Sequence, residues 1–409
     1  MSPPRHSAIG RFPLIGEELS LGGLPLSLLA ARVGSTPFYA YDRQLLTARV
    51  ETLRAVLPSG ISLHYAMKAN PMPALVGHMA RLVDGLDVAS GEELRVALDT
   101  GMDPHEISFA GPGKSEAELS QAVAAGILIN VESMRELGLL ATIGQRLGRA
   151  ARIAIRVNPD FELKSSGMKM GGGPKQFGID AEQVPAALAE ITKLGLAFEG
   201  FHIFSGSQNL RPEAICEAQT KALAMAVRLA ADAPSPLKTL NLGGGFGIPY
   251  FPGEQPLDLA PIGAHLHGIV DSARSALPGA KLVIELGRYL VGEAGIYVSR
   301  VIDKKMSRGE VFLVCDGGLH HHLSASGNFG QVIRKNYPVE IGNRAGSSRR
   351  EVASAVGPLC TPLDLLADRM NLAAAEPGDL VVVFQSGAYG LSASPTRFLS
   401  HPAPVEVLV

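Results

Sequence analysis

Eight short β-prone runs, separated by segments with helical periodicity, constrain the fold of this 409-residue chain more than any other feature. The intervening segments, such as EELRVALDTG, have the apolar spacing of amphipathic helices and end at a glycine. Eight strands that alternate with helices predict a parallel (β/α)8 barrel, with a doubly wound open sheet as the alternative. The runs are SLHYAM (62–67), GLDVAS (85–90), EISFAG (106–111), ILINVE (127–132), RIAIRVN (152–158), FEGFHIF (198–204), TLNLGGG (239–245) and LVIELG (282–287).

The chain after residue 291 has a different pattern, in which strand-like runs follow one another with only turn residues between them. GIYVSRVIDKK, EVFLVCDGG, REVASAVGPLC and DLVVVFQSGAYG carry little helical signal, so they predict a separate β domain. The earlier run TPFYAYD (36–42) could pair with that domain. We therefore predict an N-terminal segment over 1–43 that joins the β domain, a barrel over 44–290 and a C-terminal β domain over 291–409.

Composition excludes several classes of protein. Hydrophobic residues make up 46% and charged residues 19%, which is typical of a soluble globular protein. The net charge of −2, without a basic patch, argues against nucleic acid as a partner. No apolar run reaches membrane length, and the N-terminus lacks the apolar core of a signal peptide. Three widely spaced cysteines suit a reducing compartment, so we expect a cytoplasmic protein with no membrane partner.

Unusual residues follow four of the predicted barrel strands, at the end where barrel active sites form. Lys68 follows the first strand, in HYAMKANP. HIFSGSQ (202–208) ends the sixth strand, GGGFG (243–247) follows the seventh, and ELGR (285–288) ends the eighth. If the barrel prediction is right, these segments converge on one site.

Each of these features also has an ordinary structural explanation. A lysine at a strand end is usually solvated, and a glycine triplet is usually a turn, although between a strand and a helix it can present N–H groups to a phosphate. Glu285 and Arg288 could form a surface ion pair, and His202 and Phe204 could be core residues on one strand face. Residues 320–322, three successive histidines, cannot all point at one metal ion from a strand, so structural or interface roles are favoured and no metal site is predicted.

Together, ten motifs in order resemble the fold-type III pyridoxal-phosphate decarboxylases, a family that includes the diaminopimelate and ornithine decarboxylases. The resemblance runs from about residue 36 to 400 and implies an alanine-racemase-like barrel followed by a β domain. No single motif is specific, but their order is. They are YAMKAN, DVASGEEL (87–94), FAGPGKS (109–115), RVNPD (156–160), QFGID (176–180), FSGSQ, GGGFG, ELGRYLV, GPLCTPLD (357–364) and SGAYG (386–390).

The resemblance implies that pyridoxal 5'-phosphate is the cofactor and that Lys68 binds it covalently. A desolvated lysine has a lowered pKa and a neutral, nucleophilic amine, so the apolar neighbours of Lys68 predict a buried amine. Glu285 matches the acid that pairs with the pyridine nitrogen. Arg288 matches an arginine near the phosphate and the substrate carboxylate. The residues that match the phosphate-binding set are Ser207, Gly243, Gly244, Gly245 and Tyr389.

The resemblance also implies that two chains build each active site, through the loop GPLCTPLD (357–364), which we call the cysteine loop. Cys360 matches a cysteine that reaches into the partner subunit's site, where it can protonate the carbanion. Asp364 matches an acid of the same loop that usually meets the far amine of the substrate. A homodimer with shared active sites is therefore expected.

Three departures from the family pattern change the expected substrate. Phe204 stands where the decarboxylases place a histidine against the cofactor ring, and His202 lies two residues earlier on the same face, so either ring could stack there. Thr361 stands in place of an acid that binds a distal amine. GGLHHHLSASGNFG (317–330) replaces an Asn-Asp-x-x-Arg-Pro pattern, and the arginine for a substrate carboxylate is missing.

These departures favour decarboxylation of a modified or conjugated amino acid, including one held on an acyl carrier protein. KMGGGPKQFGID and HIFSGSQ also look like the carrier- and siderophore-pathway branch and the exosortase-associated branch of the family. The alternatives are an ordinary diaminopimelate decarboxylase, a racemase on the same barrel, and a catalytically silent homologue that acts by binding a partner.

Overall fold

The computed structural model describes residue 6 and residues 12–161, 168–169 and 173–409, so part of the glycine-rich segment at 165–178 lies outside the described residues. The chain divides into two compact units. One comprises Met1–Arg49, Pro249–Pro256 and Leu290–Val409, and the other comprises Val50–Ile248 and Leu257–Tyr289.

The first unit begins with short strands and one helix. Leu26 and Leu29 on the buried face of the helix pack in a core with Phe38. Gly34 ends the helix with φ of 86°, a left-handed conformation that glycine adopts without strain. These elements are β1 (Leu14–Ile15), β2 (Glu18–Leu21), β3 (Leu24–Pro25), α1 (Leu26–Val33) and β4 (Phe38–Tyr41).

The second unit is a closed barrel of eight parallel strands. Each predicted run overlaps one of these strands, and the pairing of β8 with β9 closes the ring, which confirms the (β/α)8 prediction. Two shorter strands, β10 and β13, pair with each other, and β11 extends the sheet beside β9. The barrel strands are β5 (Ile61–Ala66), β6 (Gly85–Val88), β7 (Ile107–Phe109), β8 (Leu128–Val131), β9 (Arg152–Asn158), β12 (Ala197–Ile203), β14 (Thr239–Gly244) and β15 (Lys281–Leu286); the others are β10 (Met168–Lys169), β11 (Ile179–Asp180) and β13 (Gly206–Ser207).

Helices between the barrel strands bury one apolar face, and three of them begin at side-chain caps. Ser115 and Glu118 form a reciprocal capping box at the start of α5, and Ser90 and Ser133 cap α4 and α6. Among the described residues, no helix is long and apolar enough to cross a membrane. The helices after α1 are α2 (Arg43–Arg54), α3 (Pro73–Met79), α4 (Gly91–Asp99), α5 (Glu116–Ala125), α6 (Met134–Leu147), α7 (Val184–Leu194), α8 (Pro212–Ala230), α9 (Ala260–Ala276) and α10 (Arg288–Val291).

The remaining strands of the first unit, which we call the β unit, form one mixed sheet with β4. β4, which lies within TPFYAYD (36–42), pairs with β16 and with β22. The rest of the sheet follows the order β18, β21, β16, β17, β19, β20. These strands are β16 (Gly295–Ser307), β17 (Glu310–Cys315), β18 (Val339–Ile341), β19 (Arg350–Val356), β20 (Leu365–Ala373), β21 (Leu380–Val383) and β22 (Val405–Leu408).

Candidate active site

Lys68 lies in a 3-10 turn, Met67–Ala69, that directly follows β5 at the carboxyl end of the barrel. The hydroxyl of Tyr65 donates to the carbonyl oxygen of Asn70 at 2.8 Å and closes this turn. Met67 and Ala69 are buried, whereas the side chain of Lys68 is exposed in the single chain. In the single chain the apolar neighbours occupy the buried positions of the turn and do not cover Lys68, so the predicted burial of its amine stays a prediction for the complete site.

An aromatic ring faces the lysine. Nζ of Lys68 lies 5.7 Å from the centroid of the Phe204 ring, within the range of a cation–π contact. Phe204 follows the last residue of β12, and His202, two positions earlier, is 1% exposed inside the barrel. This geometry favours Phe204 over His202 as the ring beside the cofactor. A phenyl ring supplies packing but no proton.

Glu285 is buried near the end of β15 and is held by two neighbouring strands. Its Oε2 accepts a hydrogen bond from Nδ2 of Asn241 at 3.0 Å and lies 3.2 Å from Nε2 of His202. Burial alone would raise the pKa of Glu285, but the charges of His202, Lys68 and Arg156 hold it well below its usual value. The carboxylate is therefore charged at neutral pH and can pair with a protonated ring nitrogen.

Three glycines at the end of β14, Gly243 to Gly245, form a cradle that side chains would fill. A Cβ at Gly243 would lie 2.9 Å from the carbonyl oxygen of Ile203. A Cβ at Gly244 would overlap the carbonyl oxygen of Glu285. Gly243 and Gly245 have φ of 72° and 82°. Backbone in this conformation without side chains can approach a phosphate closely. The structure therefore fits the predicted phosphate site at this end of the barrel.

A methyl group at the centre of the cradle should disturb it. We expect Gly244→Ala to destabilise the protein by about 1–3 kcal/mol, because the new Cβ meets backbone that cannot move aside. The affinity of the Gly244→Ala protein for pyridoxal phosphate should also fall. The control is Gly138→Ala in α6, where a Cβ has open space and should stabilise by about 0.5–1 kcal/mol. Urea unfolding and cofactor titration measure both effects, and unchanged stability and affinity in Gly244→Ala would contradict the cradle.

Cys360, Thr361 and Asp364 lie on one loop of the β unit, between β19 and β20. Cys360 is exposed, whereas Asp364 is only 3% exposed. The carboxylate of Asp364 accepts backbone N–H groups from Leu319 at 2.6 Å and Leu359 at 2.8 Å. Burial raises its pKa. Because both oxygens are used inside the chain, the geometry favours a role in holding the cysteine loop over the predicted contact with a substrate amine.

Tyr389 lies in the same unit and has unusual backbone geometry. Its φ of 52° is rare for a residue with a side chain, and such conformations cluster at functional sites. Ser324 donates to its carbonyl oxygen at 2.9 Å. The residue is half-buried. Its predicted contact with the cofactor phosphate stays a prediction.

The three histidines at 320–322 are fully buried in the β unit. Nε2 of His321 lies 2.9 Å from the carbonyl oxygen of Pro402, and Nε2 of His322 lies 2.9 Å from the hydroxyl of Ser386. Burial lowers the pKa of His321 to about 4 and that of His322 to about 3, so both rings are neutral at physiological pH. His321 and His322 therefore make structural contacts within the chain.

Sequence analysis missed the polar side chains that position the expected site residues. Asn241 lies two residues before the glycine cradle and contacts Glu285, but a single asparagine in a β-prone run carries no recognisable signal. Glu132 is a second example. Its carboxylate accepts N–H groups from Gly111 and Gly178 and pairs with Arg156 at 3.0 Å. It thereby holds two loops at the carboxyl end of the barrel.

A lysine amine, a charged carboxylate and a side-chain-free cradle at one end of a (β/α)8 barrel suit a cofactor with an aldehyde, a ring nitrogen and a phosphate. This is the class of barrel enzymes that use pyridoxal phosphate. The family model described as "Pyridoxal-dependent decarboxylase, pyridoxal binding domain" matches residues 43–292, more than half of the chain. The chain belongs to this family of pyridoxal-phosphate-dependent amino-acid decarboxylases.

Relatives match along most of the chain. The L-glutamyl-[BtrI acyl-carrier protein] decarboxylase of Niallia circulans is 40% identical over 379 residues, which cover 91% of this chain and 88% of that protein. The diaminopimelate decarboxylase of Aquifex aeolicus is 35% identical over 96% of this chain and 90% of its own length. The structure of diaminopimelate decarboxylase from M. jannaschii with L-lysine superposes with a TM-score of 0.87 at 25% identity, over 97% of this chain and 92% of that one.

Proposed function

We propose that this enzyme decarboxylates an amino acid whose far end is joined to a carrier protein or to another acid. The observation that carries the proposal is the 40% identity, over 91% of the chain, to a decarboxylase named for a glutamyl group on an acyl-carrier protein. A third relative, from Staphylococcus aureus, is named for an alanine unit joined through a carbamoyl group to a hydroxybutanedioate and is 31% identical over 90% of this chain. In both named substrates the far end of the amino acid is conjugated.

The segment at 317–330 supports a substrate that lacks the second amino-acid carboxylate of diaminopimelate. It contains no arginine, and the next arginine along the chain, Arg334, is engaged inside the β unit. Its guanidinium donates to the carbonyl oxygens of Ser326 at 3.1 Å and Leu365 at 3.0 Å, and to the side chain of Asn336. Arg334 is therefore a poor candidate to replace the missing arginine.

The cysteine loop supports a substrate without a distal amine. Thr361 stands where an acid is expected in the diaminopimelate and ornithine decarboxylases, and the carboxylate of Asp364 is already satisfied by two backbone N–H groups. A site that lacks paired charges for a charged end discriminates against it, because the charge loses water without gaining a partner. A neutral amide, ester or thioester loses much less.

Each proposed catalytic residue has a separate task. Bound pyridoxal phosphate supplies the electron sink for the carbanion that remains after loss of CO2. Lys68 would hold the cofactor through its amine. The Glu285 carboxylate would keep the ring nitrogen protonated, and the ring of Phe204 would pack beside the cofactor. The thiol of Cys360 donates the proton that replaces CO2.

We propose that the phosphate group is bound by Ser207, Gly243, Gly244, Gly245 and Tyr389, with Arg288 directed at the phosphate or the substrate carboxylate. The barrel over 44–290 would bind the cofactor, and the β domain over 291–409 would supply the cysteine loop. We propose a cytoplasmic homodimer, in which the cysteine loop of one chain completes the site of the other; the three free cysteines suit a reducing compartment.

Mixing two inactive variants tests the shared site. Lys68→Ala and Cys360→Ala chains should together recover about a quarter of full activity, because half of the random dimers are mixed and each has one intact site. A pair with both defects in the barrel, Lys68→Ala with Glu285→Gln, should recover nothing. Activity is measured after confirmed subunit exchange. Absence of recovery in the first pair would contradict the shared site.

Diaminopimelate decarboxylation is the second candidate, favoured by the 35% identity to the Aquifex enzyme. Mass spectrometry of a panel of amino acids, each free and linked to a carrier protein, separates the two candidates. We expect loss of CO2 from linked substrates, with glutamyl-carrier as the first to test, and little from free diaminopimelate, ornithine or lysine. The Lys68→Ala protein is the negative control. Loss of CO2 from free diaminopimelate alone would refute the proposal.

A further inference from the structure

Asn241 links the acid of the proposed site to the glycine cradle. It lies on β14, is 7% exposed, and uses both ends of its side-chain amide. Nδ2 donates to Oε2 of Glu285 at 3.0 Å, and Oδ1 accepts the backbone N–H of Gly243 at 2.7 Å. One short side chain thus contacts the group proposed for the cofactor nitrogen and the first residue of the group proposed for the phosphate.

The local backbone explains why an amide stands here. The pairing of β14 with β15 shifts in register between Asn241 and Gly244, and the contact with Gly243 spans this irregularity. A side-chain oxygen that accepts the N–H two residues ahead is a common way to stabilise such a turn. The same side chain must also offer a donor to a carboxylate. Among the short side chains, the asparagine amide supplies this acceptor and this donor from separate atoms.

We propose that Asn241 is a positioning residue that fixes the Glu285 carboxylate and the glycine cradle relative to each other. The sites for the ring nitrogen and for the phosphate of the cofactor would then be held at a fixed separation. The proposal rests on the roles assigned above to Glu285 and the glycines. The hydrogen bond from Asn241 and the contact of His202 both reach Oε2 of Glu285. Oε1 is accordingly the oxygen that we assign to the ring nitrogen.

The groups around Glu285 determine how a substitution of Asn241 changes the pKa of Glu285. His202 on β12, Lys68 after β5 and Arg156 on β9 all favour its charged form. Asn241→Asp keeps an acceptor for Gly243 but removes the donor to Glu285 and brings a second carboxylate to it. Two carboxylates in contact cannot both ionise easily, so the pKa of Glu285 should rise by at least about one unit.

The test compares Asn241→Asp with Asn241→Ala in the full-length protein. In Asn241→Asp we expect the pKa of Glu285, followed by carbon NMR of the cofactor-free protein with Glu285→Gln for assignment, to rise. Affinity for pyridoxal phosphate should fall less than about tenfold, and kcat should fall more than tenfold. In Asn241→Ala, which loses both contacts, affinity and kcat should each fall at least tenfold.

The control is Asn130→Asp, another buried asparagine of the barrel, whose Nδ2 donates to Ser108 at 3.2 Å. It should leave the pKa of Glu285 within the error of wild type. An unchanged Glu285 pKa in Asn241→Asp would overturn the proposal. It would also be overturned if affinity and kcat fell by the same factor in Asn241→Asp, as they are expected to do in Asn241→Ala. If Asn241→Asp does not fold, Asn241→Ala decides, and affinity and kcat within twofold of wild type would overturn it. A raised pKa with unchanged affinity and kcat would refute the cofactor roles of Glu285 and the glycines.

Discussion

Replacing Lys68 by alanine should lower kcat by about a thousandfold or more and abolish covalent attachment of the cofactor. The side chain stands on the turn after β5, with its amine 5.7 Å from the centroid of the Phe204 ring. Loss of a nucleophile that acts together with its partners removes most of the catalysis while binding persists. Borohydride reduction followed by peptide mass spectrometry should place the phosphopyridoxyl group on Lys68 in wild type.

The matched control is Lys193→Ala, an exposed lysine of α7 that pairs with Glu190. An exposed pair three residues apart contributes little to stability, so activity and attachment should stay at the wild-type level. A phosphopyridoxyl group on a different lysine of the wild-type protein would show that Lys68 is not the cofactor lysine.

Glu285→Gln should lower kcat by about a hundredfold, which is the effect of removing one preorganised electrostatic contact. The glutamine keeps the shape of the side chain and an acceptor for Asn241 but loses the charge that stabilises a protonated ring nitrogen. Because the pKa of Glu285 is held below its usual value, the wild-type carboxylate stays charged from about pH 5 upward. The titration of Glu285 should therefore cause no change in the rate across neutral pH.

The measurement is single-turnover decarboxylation together with the absorbance of the bound cofactor. Glu190→Gln, a partly exposed acid of α7, is the control and should behave as wild type. A kcat within a factor of two of wild type in Glu285→Gln would mean that this carboxylate does not face the ring nitrogen.

The barrel could be predicted from sequence because its strands are short and apolar and alternate with helices, of which α5, α6 and α7 end at a glycine. The β unit was predicted less completely. Leu365–Ala373 forms a strand of nine residues, although LLADRMNLA has a composition that suits a helix. Its pairing with Arg350–Val356 contains register shifts, which break the alternation of buried and exposed side chains. Tertiary pairing therefore decides its structure, and single-sequence patterns do not contain that information.

Site residues were recognisable where a motif carries them, but their environment was not. The sequence placed Lys68 at the correct strand end, yet the exposure of its side chain depends on the turn that follows. Asp364 matched a motif, but its two backbone partners come from segments 45 and 5 residues away. Asn241 belongs to no motif, and only the three-dimensional proximity of β14 and β15 brings it to Glu285. Contacts between distant segments are the information that the motifs lack.

The most direct test of the proposed function is a comparison of kcat/KM for glutamyl-carrier protein and for free meso-diaminopimelate on one preparation. The missing arginine at 317–330, Thr361 and the satisfied carboxylate of Asp364 predict a value for the carrier-linked substrate at least about tenfold higher, since one unpaired charge is worth this much or more. A value for diaminopimelate of about 10⁴ M⁻¹s⁻¹ or above, with none measurable for the linked substrate, would contradict the proposal and identify an ordinary diaminopimelate decarboxylase.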